Sequence, residues 1–276
     1  MDEPVQEAPL AWQPFSPKGV AAFADATFGR VLLVQLLMAL LTAATVLWFL
    51  GRDWFPIIRA GISELPDQGE IRGGKLDFHG ESPKRLAENR FLAVAVDLDH
   101  GGDVRTPAHV EFELGRNDVE IHSLLGFLEM PYPAHRVFPL NRIELVPWWG
   151  AWAPPILGIA ALMVIASLLI TWSVLATVYC WLAWVVGFFA NRDLSLAGSW
   201  RLAGAALMPG ALLMNAGILG YALGLLELPG LALIFAAHFL AQWFYLLVSI
   251  FARPRHPGVA KRNANPFAAP PAEPEQ

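Results

Sequence analysis

Two groups of residues in this chain have the types and spacing to do chemistry. The first is Asp97-Leu98-Asp99-His100-Gly101-Gly102-Asp103. Asp97, Asp99 and Asp103 beside a Gly pair offer oxygen ligands for a weakly held hard cation. Their spacing is not that of an EF-hand, and the same residue types suit a plain polar turn at a strand end. The second group is His238, Gln242, Tyr245 and Ser249, which recur along one face of an apolar helix. Asn215 on the preceding apolar run and the Pro209-Gly210 break can face them. Such a face is either a seam for a substrate, a proton or a partner helix, or a set of hydrogen bonds between helices.

Other chemistries lack their residues. His79, His100, His109, His122 and His135 show no zinc-site spacing and no His-Glu-x-x-His, so they read as surface or core imidazoles. Ser63, Ser82 and Ser123 lack a Gly-x-Ser-x-Gly elbow. No phosphate-cradling Gly loop occurs. Cys180 is alone and cannot form an internal disulfide. The expectation is therefore no catalytic set, no cofactor and no defined metal centre, and a protein that is not an enzyme.

The elements that carry these groups are set by hydropathy. The 276 residues are 55% hydrophobic and 16% charged, with mean hydropathy +0.45. Soluble domains carry about 25% charged residues. A net charge of -5 leaves no basic excess for a nucleic acid. Residues 1–30 are a polar, cytoplasmic N-terminal segment. Residues 31–50 are uncharged and span about 30 Å as a helix, one bilayer core. Acidic residues precede this run, so it reads as an uncleaved anchor, transmembrane helix 1. Residues 51–147 are the large polar block. Residues 148–251 form a C-terminal transmembrane bundle. Residues 252–276 are a Pro/Ala-rich basic tail of disordered composition.

Loop charge orients the chain. Arg192 and Arg201 mark one short loop, and Arg253, Arg255, Lys261 and Arg262 mark the tail, as cytoplasmic. With the N-terminus inside, residues 51–147 lie outside. Pro155 to Ala190 is long for one span. It is either a single long helix, giving four spans, or a hairpin near Thr171-Trp172-Ser173, giving five. Four is preferred, because five puts the basic tail outside. Trp48, Trp54, Trp148, Trp149 and Trp152 form an aromatic belt at one interface. Gly210, Gly217, Gly220 and Gly224 permit close helix contact within the bundle or between copies.

In the polar block, 54–65 reads as a helix and 70–78 as a hairpin about Gly73-Gly74. Strands are expected at 91–98, 109–114, 119–125 and 142–146. The fold class is a membrane α-helical bundle with one inserted small α+β extracytoplasmic domain.

Phe15-Ser16-Pro17-Lys18, Leu65-Pro66-Asp67, Ile71, Gly74-Lys75-Leu76 and Val94-Ala95-Val96-Asp97 carry a resemblance. In these motifs and in layout the chain resembles a bacterial membrane-protein family of unknown function, sometimes labelled maltodextrin-utilisation protein. The resemblance implies a multi-pass protein of a bacterial inner membrane and no particular reaction. The expected function is binding of a ligand or partner subunit by the outer domain. The alternative is a small transporter or transporter accessory using the polar seam. Expected partners are the lipid bilayer and a protein partner or second copy, with no nucleic acid.

Overall fold

The computed structural model describes residues 13–124 and 126–256. Short helix α1 (Pro17–Ala22) leads through a 3-10 turn to α2 (Phe28–Phe49). A π-helical turn over Leu50–Trp54 carries α2 into α3 (Phe55–Ser63) without a break. Eight strands follow, then α4 (Arg142–Phe189), α5 (Leu196–Ala222) and α6 (Leu228–Phe251). Four helical stretches, Phe28–Ser63, α4, α5 and α6, are long and apolar enough to cross a membrane. This is the build of a multi-pass membrane protein.

Between one long helix and a hairpin over Pro155 to Ala190, the structure has the one helix. Helix α4 has 48 residues and runs straight through Thr171-Trp172-Ser173. At 1.5 Å per residue it is about 72 Å long, well beyond one hydrocarbon core. Ser173 does not mark a turn because its hydroxyl donates back to the Leu169 carbonyl, 2.7 Å away, inside the helix.

The chain divides into two compact units. One comprises Met1–Thr42, Val164–Ile218 and Pro229–Gln276. Its core is built from Phe23, Val31, Leu202, Leu207, Met208, Leu246 and Ile250, all essentially fully buried. Residues 17–25 lie in the segment read as polar, yet Val20 and Phe23 are fully buried. Ser16 caps α1 by accepting from the Gly19 amide at 3.1 Å. Arg253 donates to both Asp25 carboxylate oxygens at 2.5 and 3.0 Å. The disordered tail expected from composition falls largely on residues 257–276, outside the described residues.

The other unit comprises Ala43–Met163 and Leu219–Leu228. It holds α3 and two sheets. Strands β1 (Gly69–Arg72) and β2 (Lys75–Phe78) form the expected hairpin, with Gly73 and Gly74 at φ 60° and 75°. The short strand β8 (Phe138–Pro139) pairs with β1 on its other side. The second sheet has the order β3 (Lys84–Glu88), β4 (Leu92–Val96), β5 (Val110–Leu114), β6 (Asp118–Ser123), β7 (Gly126–Pro131). Only the β4·β5 pair in it is parallel. Leu65, Leu86 and Val96 pack beneath it. The strand expected over 142–146 is instead the first turn of α4. Asn141 starts that helix, its Oδ1 accepting from the Glu144 amide at 3.0 Å.

Candidate metal site on the five-stranded sheet

The site is a product of strand register. Side chains alternate faces along a strand, so Glu111 and Glu113 of β5 share the face opposite Val110, Phe112 and Leu114. Across the antiparallel pair Glu113 opposes Glu120 and Glu111 opposes His122. On the other side Glu111 and Glu113 are level with Ala93 and Ala95 of β4. The two alanines keep that face open. Residues 97–109, the connection that parallel pairing demands, bring His100 over it.

His100 is the centre of the group. Its Nδ1 lies 2.6 Å from Glu113 Oε1 and 3.7 Å from Glu120 Oε2, and its Nε2 lies 2.8 Å from Asp118 Oδ1. His100 sits at φ +51°, a backbone region that residues other than glycine seldom adopt. Gly115 makes room for the ring: a Cβ there would lie 2.1 Å from His100 Nε2. His122 Nε2 is 2.9 Å from Glu120 Oε2, and Arg105 Nη1 is 3.1 Å from His122 Nδ1. Among the described residues, His100, Glu113 and Glu120 are the set whose ligand atoms all lie within 4.8 Å of one another.

The electrostatics are unbalanced. Glu113 is 0% exposed, and its Oε2 has no hydrogen-bond partner. His122 Nε2 is 3.7 Å from that oxygen, and Arg105 Nε, on a half-exposed side chain, is 3.8 Å from it. Glu111 is buried too. Its Oε2 accepts from the Thr106 amide and hydroxyl, both at 2.9 Å, while its Oε1 is unpartnered. Burying a carboxylate without full pairing is costly. Burial opposes a charge on His100, but Glu113, Asp118 and Glu120 outweigh it and hold its pKa above the usual imidazole value.

Chemically, the group has the parts of a cation site. With a proton on Nε2 donated to Asp118, His100 presents the Nδ1 lone pair toward Glu113 and Glu120. A carboxylate that fixes the tautomer of a ligating histidine is the usual outer support of such a ligand. One imidazole nitrogen and two carboxylates are borderline donors that suit zinc, manganese or iron(II) better than calcium. Three protein ligands leave a coordination position for water or a small ligand.

The loop carboxylates are arranged differently. Asp97 is buried and holds the loop itself: Oδ2 accepts from the Gly102 amide at 3.0 Å and Oδ1 from the Asp99 amide at 3.4 Å. Asp99 is exposed and pairs with Arg116 at 3.1 Å. Asp97, Asp99 and Asp103 are not brought together around one point. Sequence reasoning read His100 as a surface or core imidazole within the Asp97–Asp103 loop and did not find Glu113 or Glu120. The usable signal was Glu-x-Glu followed, across the short Asn117-Asp118 turn, by Glu-x-His, which antiparallel pairing places on one face.

The seam residues are buried as a polar helix face should be. His238, Gln242, Asn215 and Ser249 are all below 10% exposed. His238 Nδ1 bonds the Phe235 carbonyl, and the Tyr245 hydroxyl donates to the Phe15 carbonyl at 3.0 Å. Asn215 Oδ1, Gln242 Oε1 and Ser249 Oγ have no partner. The sequence reading missed Gln35 of α2, which is fully buried and donates to the Gly204 carbonyl at 3.4 Å.

Comparison with family models, with curated proteins and with solved structures finds no match to this chain, so the site is read from its own residues.

Proposed function

We propose that this chain is a membrane-embedded, non-enzymatic binding protein whose sheet domain holds a divalent transition-metal ion outside the cytoplasm. His100 Nδ1, Glu113 and Glu120 are the ligands. Asp118 and His122 position His100 and Glu120. The observation that carries this reading is the Glu113 carboxylate, fully buried, with Oε1 against His100 Nδ1 and Oε2 without a hydrogen-bond partner. A divalent cation would replace the proton on His100 Nδ1 and add positive charge among Glu113, Asp118 and Glu120. The ion would report to, or be delivered at, the membrane surface on which the domain is anchored.

The test is a titration of the full chain in detergent with zinc, manganese(II) and iron(II) salts, read by calorimetry and thermal unfolding. One ion per chain is expected for at least one metal, with a raised unfolding temperature, because a ligand bound only to the folded state stabilises it. Glu113→Gln should weaken binding at least tenfold. Without metal its far-ultraviolet circular dichroism should match the parent's, so that the loss is one of a ligand and not of the fold. No binding of any of the three metals at micromolar concentration overturns the proposal.

A further inference from the structure

The hairpin joining β6 to β7 is apolar where a soluble domain would be polar. Ser123-Leu124-Leu125-Gly126-Phe127-Leu128 contains no charge. Leu124 and Phe127 are each 68% exposed, and Leu128 is 57% exposed. Phe127 shares the sheet face of His122, which it opposes across the pair, while Leu128 points to the other face. The tip therefore presents apolar side chains on both sides. Strand β7 is the sheet edge, and it is exposed along its whole length. Native edges are normally protected by charge, proline or cover.

Register shows where this tip lies. Leu92 is level with Val110, Val110 with Ser123, and Ser123 with Gly126. The tip is thus at the same end of the sheet as Phe91 and His109. That end rests on the ends of two membrane-length helices. The Phe91 ring is 5.0 Å from Phe49, the last residue of α2, and 5.0 Å from Tyr221 in the last turn of α5. Arg90 donates to the carbonyl of Leu226, in the turn before α6, at 2.8 Å. The apolar runs stop at these residues, so this level is the boundary between hydrocarbon and water. Exposed Trp48, Trp148 and Trp152 belong to the same unit.

We infer that Leu124, Phe127 and Leu128 dip into the bilayer interface, so that lipid covers this edge of the sheet. Residues 123–128 bring no charge into the headgroup region, and Glu129 is the first to follow. Because Phe127 lies beside His122, with ring centroids 6.1 Å apart, the same contact would brace the polar face of the sheet.

The test uses the full chain with Cys180→Ala, carrying an environment-sensitive fluorophore on Leu124→Cys or, as a control, on Asn117→Cys. Asn117 is exposed at the opposite end of the β5–β6 hairpin. The protein is reconstituted in vesicles of phosphatidylethanolamine and phosphatidylglycerol containing doxyl-labelled lipid. The Leu124 probe should show blue-shifted emission and at least threefold stronger doxyl quenching than the Asn117 probe. Adding Phe127→Asp and Leu128→Asp should return it to the Asn117 level. Equal doxyl quenching at the two positions overturns the inference. So does disulfide crosslinking of Leu124→Cys between chains in place of quenching, which would make a second copy the occupant.

Discussion

His109 shows how one titratable side chain couples a sheet to a helix end. Its Nδ1 is 2.5 Å from the Tyr221 hydroxyl, and its ring stacks on Tyr221 with centroids 5.5 Å apart. Arg90 and Glu227 face it as well, with Glu227 Oε2 4.0 Å from Nε2. Burial and then the Arg90 charge lower the His109 pKa, and Glu227 only partly offsets them. The folded state therefore prefers the neutral ring, which can accept from Tyr221. A histidine with a lowered folded pKa gives stability that is present above its unfolded value, about 6.5, and is lost as pH falls through the folded value. Amide exchange over 221–226 should accelerate as pH drops from 7.5 to 5, beyond the intrinsic trend. His109→Gln should flatten that response, and a parent protein with no excess acceleration would sink the idea. At this scale the sequence was only partly legible. Asp97 looked like a ligand and is the loop's own brace. Glu113, the most buried charge in the cluster, went unnoticed, because the 97–109 connection that covers it leaves no periodic trace.

Elements were legible where one face is wet and the other dry. Strands β4 and β5 and the Gly73-Gly74 hairpin follow from alternation and turn residues. Strand β3 did not, because a register shift between Arg85 and Ala87 breaks its alternation. Strand β7 did not, because Phe127, Leu128 and Met130 put apolar residues on both faces and leave Glu129 as its one charge. Helices were found from hydropathy, yet hydropathy alone left α4 open as one helix or two. How α5 and α6 meet is a matter of single glycines. A Cβ on Gly210 would lie 2.5 Å from Gln242 Cγ and 2.6 Å from the His238 carbonyl oxygen. The side chain can turn away, but the backbone oxygen cannot, so α6 would have to shift. Gly210→Ala should therefore cost about 1–3 kcal/mol, in the manner of an overpacked core. Gly158→Ala on α4 meets nothing within 4 Å and should be neutral or stabilising by up to about 1 kcal/mol. Thermal unfolding in detergent compares the two, and equal shifts would show that Gln242 does not pack there as described.

At the scale of the whole molecule the governing quantity is the side on which each polar segment lies. If each of the four long apolar helices crosses once, both termini share a side. In the first unit, segments far apart in sequence converge: Arg192 donates to the Arg253 carbonyl at 2.8 Å, Arg201 to the Ala24 carbonyl at 2.6 Å, and Arg253 holds Asp25. The loop at 191–201, the start of the tail and the residues before α2 therefore meet at one end. That end carries Arg192, Arg201, Arg253 and Arg255, and an excess of arginine near span ends stays in the cytoplasm. The acidic block at 51–147 has no vote, because long domains cross regardless of charge. The proposed orientation rests on these four guanidinium groups and can be read with two cysteines in a Cys180→Ala background. In intact spheroplasts an impermeant maleimide should label Asn117→Cys, while Gln276→Cys should react only after lysis. Labelling of Gln276→Cys in intact spheroplasts would mean an odd number of crossings or an inverted chain. In the second case the His100 cluster would have to be reconsidered, since an inverted chain would expose it to the metal-buffered cytoplasm.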